Sequence, residues 1–200
     1  MKSITTFLLA LCVMVLPFEQ AQAVEADSPQ IQQAQDFING LTSEGIGFLS
    51  NENLDEAARR KSFEKLLNRS FDMSTIGRFA IGRHWKTANK AQRSQYQKLF
   101  RNMVIEVYSQ RFSDYQGQSI KVKSARPEGK YDILVSSMII PKSGEKIRLD
   151  WRVRPKKGKY KVVDVVVEGV SMALTQRSDF ASVIQRGGGD VNVLLAHLEK

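Results

Sequence analysis

Cysteine and histidine are almost absent from this chain of 200 residues. Cys12 is the single cysteine, so no disulfide can form within one chain. His84 and His197 are the two histidines. Because zinc centres usually draw most of their three or four ligands from cysteine and histidine, this composition argues against one. We expect no metal site, and we also expect no cofactor.

The residue patterns of the common catalytic centres are also missing. Ser171 lacks the flanking glycines of a nucleophile elbow, and no base lies near it in the sequence. Asp164 and Glu168 are four residues apart and would share one face of a strand, where acid–base work is conceivable. The favoured interpretation is structural: Asp164 hydrogen-bonds to neighbouring loops, and Glu168 fixes the turn at Gly169. We therefore predict that the protein is not an enzyme.

One long apolar run stands at the N-terminus, from residue 4 to residue 16. It follows the positively charged Lys2 and ends at Pro17, and it is too short to span a bilayer comfortably. The tripeptide Ala21-Gln22-Ala23 then supplies the small residues that a signal peptidase reads. We interpret residues 1–23 as a secretory signal peptide.

Cleavage after Ala23, or at the weaker alternative site after Ala26, leaves a chain that suits one packed domain and is short for two. We therefore assign residues 24–200 to a single domain. An exported protein without disulfides is compatible with a bacterial periplasm, which is the expected location.

Acidic residues are in the minority, with 21 Asp and Glu against 30 Lys and Arg and a formal net charge of +9. A basic surface can attract nucleic acid, an anionic membrane or an acidic protein. The basic clusters 59–61 and 156–159 lie far apart in the sequence and carry no nucleic-acid-binding motif, and export argues against that partner. Phospholipid headgroups also attract basic residues, so we favour a lipid partner over nucleic acid.

The first half of the exported chain has helical periodicity. We predict helices that begin at Ser28-Pro29 and that cover 54–68, 71–82 and 90–115. The last of these carries a sustained apolar stripe, which either fills a core or also lines a cavity.

The second half alternates with a period of two and predicts strands over 119–124, 131–140, 145–154 and 159–167. Helices are predicted from Ser178 to Arg186 and again after Asp190. In the third strand one set of side chains should face the core and the other set should face water. The inward set is Ile147, Leu149, Trp151 and Val153, and the outward set is Lys146, Arg148, Asp150, Arg152 and Arg154. Helices followed by a mainly antiparallel, curved, four-stranded sheet and two short C-terminal helices indicate an α+β fold.

Two segments resemble a known protein family. Residues 164–180 read D-V-x-x-E-G-V-S-M-x-x-T-Q-R-S-x-F, and residues 71–85 are similar to F-D-M-x-x-I-x-R-F-x-L-G-x-x-W. Both patterns resemble the MlaC family, also called the toluene-tolerance family, of periplasmic lipid carriers. Further matches, among them Tyr96, Tyr108 and Asp150-Trp151, extend the resemblance over most of the exported chain.

The resemblance implies an NTF2-like fold whose interior encloses phospholipid acyl chains. We expect the protein to be a monomer. It also implies a shuttle between an outer-membrane lipoprotein–porin complex and an inner-membrane transporter with an MCE-domain ring and an ATPase, which would maintain outer-membrane lipid asymmetry. A hopanoid-associated relative of the same family, an NTF2-like small-molecule enzyme and an assembly protein with a filled core are the alternatives.

The candidate lipid-binding residues come from the apolar stripe, the strands and the segment that follows them. Arg177 is expected to meet an acidic headgroup or partner, and the apolar members either line a cavity or belong to the plain core. The set is Phe100, Met103, Val104, Val107, Tyr108, Phe112, Val135, Met138, Ile147, Leu149, Trp151, Val153, Val163, Val165, Val167, Met172 and Arg177.

Overall fold

The computed structural model describes residues 28–200, so the predicted signal peptide lies outside the described residues. The helices are α1 (Pro29–Leu49), α2 (Glu56–Ser70), α3 (Met73–Ile81), α4 (His84–Thr87), α5 (Lys90–Ser109), α6 (Met172–Arg186) and α7 (Val191–Leu198). The strands are β1 (Ser119–Glu128), β2 (Asp132–Ile140), β3 (Ile147–Lys156), β4 (Lys159–Val167) and β5 (Val170–Ser171). None of the described helices is long and apolar enough to cross a membrane.

Local sequence signals set the start of the longest helix, α5. The Asn89 side chain accepts a hydrogen bond from the Gln92 amide at 2.9 Å, and the Gln92 side chain accepts one from the Asn89 amide at 2.9 Å. This reciprocal capping box satisfies two amides that have no partner within the helix. The helix begins at Lys90, as predicted from the sequence.

The same helix ends earlier than predicted, at Ser109 instead of Tyr115. A separate 3-10 turn, Phe112–Asp114, follows it. The turn places the Phe112 ring 6.0 Å from the Phe48 ring and 5.4 Å from the Phe63 ring, in edge-on packing. If α5 continued straight to Tyr115, Phe112 would lie on the apolar stripe of α5 instead.

The sheet is antiparallel, and its strands follow chain order from β1 to β5. The predicted α+β fold is confirmed, but the sheet has five strands and not four. The additional strand, β5, pairs with the end of β4 after a turn at Glu168 and Gly169, which both have positive φ. Two residues are too few to show a strand period in the sequence.

The start of α6 corrects a third prediction. The helix begins at Met172, six residues before the predicted start at Ser178. Ser171 is its N-cap, and the Ser171 hydroxyl accepts a hydrogen bond from the Leu174 amide at 3.1 Å. Residues 172–177, which precede the predicted helix, therefore form the first part of a helix of 15 residues.

Two hydrophobic cores hold these elements together. A helical core joins α3, α5, α6 and α7, and a sheet core lies between α1 and the strands. The helical core includes Met73, Ala80, Ile81, Tyr96, Phe100, Phe180, Ile184, Leu194 and Leu195. The sheet core includes Ile31, Ala34, Ile38, Leu41, Ile133, Val135, Leu149, Trp151, Val153 and Val162.

The predicted alternation along β3 is correct in its middle and wrong in two places. Ile147, expected inside, is 38% exposed because it begins the strand at the edge of the core. Asp150, expected in water, is only 3% exposed, and its carboxylate pairs with the Arg148 guanidinium at 2.9 Å. The ion pair allows a carboxylate on the outer face of the strand to be covered.

Candidate functional site

An apolar cavity of about 400 Å³ lies between the helices and the sheet. Both cores contribute to its walls, since Leu67 and Phe100 belong to the helical core and Leu149 and Trp151 to the sheet core. Ligand pockets commonly measure about 300–1,000 Å³, so this cavity is of ligand size. Its lining residues are Phe63, Leu67, Phe71, Met73, Ile76, Phe100, Met103, Val104, Val107, Tyr108, Leu149, Trp151, Asp164, Val165, Val167, Met172, Ala173 and Gln176.

Helix α5 provides one wall. Its lining residues occur at spacings of three and four along the helix, which places them on a single face. Phe100 is buried at the inner part of this face, while Val107 and Tyr108 are 45% and 44% exposed. These two exposed apolar side chains mark an opening of the cavity to solvent, which we call the mouth.

Strands β3 and β4 provide the opposite wall. Leu149 lies directly opposite Val167, and Trp151 lies directly opposite Val165. Directly opposed residues in an antiparallel ladder point to the same face of the sheet. The four side chains therefore form one continuous apolar surface towards the cavity.

A buried serine on β2 fixes the Trp151 indole. The indole nitrogen Nε1 donates to the Ser137 hydroxyl at 3.0 Å, and this hydroxyl donates to the Leu149 carbonyl at 2.7 Å. The only polar atom of the indole is thus satisfied within the sheet. Its apolar surface is left to face the cavity.

Asp164 is the one carboxylate among the lining residues. It accepts hydrogen bonds from the amides of Val165 and Ala173 at 2.9 and 3.0 Å and from the Ser171 hydroxyl at 2.6 Å. Its acceptor positions therefore serve β4 and the start of α6. This agrees with the expectation that Asp164 hydrogen-bonds to neighbouring segments.

Glu168 does not join Asp164 in an acid–base pair within this structure. A Glu168 carboxylate oxygen accepts a hydrogen bond from the Arg148 amide, and the Glu168 amide donates to the Arg148 carbonyl at 3.0 Å. The side chain therefore ties the turn at Gly169 to β3, as expected from the sequence.

Ten of the seventeen predicted lipid-binding residues line the cavity. They lie on α5, on the facing strands and at the start of α6. These residues are Phe100, Met103, Val104, Val107, Tyr108, Leu149, Trp151, Val165, Val167 and Met172.

Three apolar candidates lie in or against the sheet core instead, and a fourth, Val163, is buried apart from both the sheet core and the cavity. Val135 and Val153 share a sheet face with Trp151, but α1 covers them. Phe112 packs in the aromatic group described above. Val163 is the extra residue of a bulge in β4, because Asp164 pairs with Arg152 and Val162 pairs with Val153, and it does not line the cavity.

The remaining three candidates are at the surface or at strand positions away from the cavity. Ile147 is exposed, and Met138 is half-buried on β2 opposite Arg148. Arg177 is exposed on α6, where its guanidinium lies 5.1 Å from the Phe79 ring centroid. This is the geometry of a cation–π contact.

Sequence reasoning missed the lining residues of α2 and α3, and it missed Ala173 and Gln176, the two lining residues of α6 that follow Met172. Phe71 and Met73 belong to residues 71–85, one of the two segments that resemble the family, and this resemblance was the signal that could have identified them as lining residues. Phe63 and Leu67 are four apart on α2 and share a face, a pattern that the sequence does contain. Only the folded chain shows that this face meets the cavity.

The described residues contain no group of three or more His, Cys, Asp or Glu side chains arranged to hold a metal ion. His197 is exposed on α7. Partial burial and the neighbouring charge of Arg83 lower the pKa of His84.

Comparison with known proteins places these features in a family. Residues 42–200 match the sequence profile of the family described as MlaC protein. The toluene tolerance protein Ttg2D of Pseudomonas putida is 23% identical over 166 residues, which cover 80% of this chain and 77% of that protein. The intermembrane phospholipid transport system binding protein MlaC of Haemophilus influenzae is 26% identical over 123 residues, 60% of this chain and 58% of that protein.

Among solved structures, a phospholipid-binding protein from Ralstonia solanacearum, determined in complex with a phospholipid, has the same fold. The TM-score is 0.72, the sequence identity is 24%, and the match covers 83% of this chain and 94% of that one. The family profile spans all the elements that line the cavity, from α2 to α6. The chain therefore belongs to the MlaC family.

Proposed function

We propose that this protein is a periplasmic carrier that holds the acyl chains of a phospholipid in the apolar cavity and shuttles the lipid between outer-membrane and inner-membrane complexes. The observation that carries the proposal is the cavity itself. Its walls are almost wholly apolar, and its one carboxylate is engaged by three hydrogen bonds.

The energetic argument concerns the cost of exposing acyl chains to water. At about 0.8 kcal/mol per methylene, an acyl chain of about sixteen carbons costs roughly 12 kcal/mol to expose. A carrier must therefore enclose at least part of each chain during transit. The names of the relatives from H. influenzae and R. solanacearum, which refer to phospholipid, support the same cargo class.

The partners of such a carrier would be an outer-membrane lipoprotein–porin complex and an inner-membrane MCE-domain transporter with an ATPase. A carrier that binds lipid without an energy source cannot drive net transport by itself. We therefore assign directionality to these partners and treat the protein as a monomeric shuttle. We also propose that the signal peptide is cleaved after Ala23.

Native mass spectrometry of the protein purified from a bacterial periplasm tests the cargo and the processing together. Co-purified phospholipid and a chain that begins at Val24 would support the proposal. A polycyclic lipid would favour the hopanoid-associated alternative. A protein that never carries lipid, and that does not move labelled phospholipid between donor and acceptor vesicles, would contradict the carrier function.

A further inference from the structure

A second recess, of about 280 Å³, adjoins the apolar cavity. Phe71 and Met73 line both spaces, so these two side chains form the boundary between them. The recess differs from the cavity in its charge, because Arg101, Lys156 and Lys161 contribute to its walls. We call it the basic recess.

Only one of these three cations meets a carboxylate. The Lys156 ammonium donates to the Asp72 carboxylate at 2.7 Å. Burial alone would raise the pKa of the Asp72 carboxyl, but the hydrogen bonds from Lys156 and Thr75 lower it below its ordinary value. Asp72 is therefore ionised at neutral pH, and it neutralises one of the three positive charges.

The other two cations meet neutral oxygens. Arg101 donates to the Asn68 side-chain oxygen at 2.7 Å, and Lys161 donates to the backbone carbonyls of Asn68 and Arg69. Within the described residues neither Arg101 nor Lys161 forms an ion pair. The basic recess consequently keeps two positive charges without an acidic partner.

We propose that the basic recess binds a phosphate group, and specifically the phosphate of the lipid whose acyl chains occupy the cavity. The assignment to a lipid rests on the proposed function. A phospholipid carries its phosphate on the glycerol from which its chains extend, so a phosphate site must lie next to the chain-binding cavity. The shared boundary at Phe71 and Met73 meets this requirement.

The side chains of the basic recess suit an anionic phosphate better than a neutral headgroup. A guanidinium can bind both non-bridging oxygens of a lipid phosphate at once, while an ammonium supplies a compact positive charge beside them. Arg101 and Lys161 both hold an oxygen of Asn68 in this structure, which a phosphate oxygen can replace. Inorganic phosphate has the same chemistry as the lipid phosphate, so the test must separate the two sources.

The experiment compares the loading of phosphatidylglycerol and of dioleoylglycerol, which has the same chains but no phosphate. The test variant is Arg101→Gln with Lys161→Gln. The matched control is Lys121→Gln with Lys123→Gln, which removes the same charge from exposed positions of β1. Because Lys161 also holds the last carbonyls of α2, Arg101→Gln alone is measured as well, with urea unfolding to confirm its fold.

We expect the wild-type chain and the β1 control to prefer phosphatidylglycerol, and the recess variants to lose roughly tenfold in affinity for it while retaining dioleoylglycerol. We also expect inorganic phosphate to compete with phosphatidylglycerol, because both phosphates would bind in the same site. Phosphate binding that depends on Arg101 but leaves lipid affinity unchanged would assign the recess to the free anion. The proposal would be overturned if folded recess variants bound phosphatidylglycerol and inorganic phosphate as tightly as the wild-type chain does. Failure of the wild-type chain to load either lipid would instead overturn the proposed function.

Discussion

The Ser171 hydroxyl donates a hydrogen bond of 2.6 Å to the Asp164 carboxylate and thereby connects the end of the sheet to the start of α6. The same hydroxyl accepts from the Leu174 amide, and the same carboxylate accepts from the Ala173 amide. The two residues cap the helix together. Because Met172 and Ala173 line the cavity, this cap also sets one part of its wall.

Removal of the carboxylate should weaken this connection. Asp164→Ala leaves the Ala173 amide and the Ser171 hydroxyl without their acceptor, so we expect the free energy of unfolding to fall by about 1–3 kcal/mol. Urea denaturation measures the change. Asp179→Ala, at an exposed position of α6, is the control and should change the same quantity by less than about 0.5 kcal/mol.

Partial filling of the cavity should reduce lipid loading. Val165→Trp places a larger side chain in the cavity wall, and Ile147→Trp makes the same type of change at an exposed position outside it. Displacement of about two methylenes of lipid corresponds to roughly a tenfold loss of affinity. Phospholipid titration should show this loss for Val165→Trp alone. An equal loss in the Ile147 variant would contradict the assigned cavity.

The two tryptophans should report lipid differently. Trp151 lines the cavity, whereas Trp85 packs against the helical core with the Arg93 guanidinium 5.3 Å from its ring centroid. Phospholipid with brominated acyl chains should therefore quench the fluorescence of Trp85→Phe, which keeps Trp151. It should leave the fluorescence of Trp151→Phe nearly unchanged. Quenching that persists without Trp151 would place the chains elsewhere.

The Asp72–Lys156 ion pair predicts a pH dependence of stability. The pKa of Asp72 is lower in the folded chain than in the unfolded chain, so its contribution is present above the unfolded value and is lost as pH falls through the folded value. Asp72→Asn keeps a capping side chain for α3 but removes the charge. Because Lys156 is half-exposed, we expect a loss of only about 0.5–1 kcal/mol at neutral pH.

Urea denaturation at neutral pH and near pH 3 tests this sign. The difference between wild type and Asp72→Asn should shrink at the lower pH. A difference that grows on acidification would show that the carboxylate does not stabilise the folded chain through its charge.

Arg177 provides a test of partner contact that is separate from lipid loading. It is exposed on α6 and outside the cavity lining, so Arg177→Glu should leave the amount of co-purified phospholipid unchanged. If Arg177 meets an acidic partner, Arg177→Glu should slow lipid transfer to that partner's membrane several-fold. The transfer rate of the variant should also depend less on salt concentration than the transfer rate of the wild-type chain. Arg126→Glu, at an exposed position of β1, is the charge-matched control.

The sequence predicted the elements whose signals are local. Asn89 and Gln92 marked the start of α5, and the bounds of β4 agree with the observed strand. The start of α6 was misplaced because Ser171 and Ser178 are both of a residue type that caps helices, and only the folded chain shows that Asp164, seven residues before Ser171, also accepts from the Ser171 hydroxyl and the Ala173 amide. The face of Val163 was also misplaced, since a bulge is set by the pairing of β3 with β4 and leaves no mark in either strand alone.

The family patterns, the α+β order and the apolar stripe of α5 were determined by the sequence alone, because each depends on the types and spacing of nearby residues. Which apolar side chains enclose space, and which fill it, was decided by the tertiary structure. Val135 and Trp151 lie opposite one another on one sheet face, yet α1 covers the first while the second also borders the cavity. The spacing of apolar residues determines which face of a strand is buried, but the position of the helices above that face determines where a cavity remains.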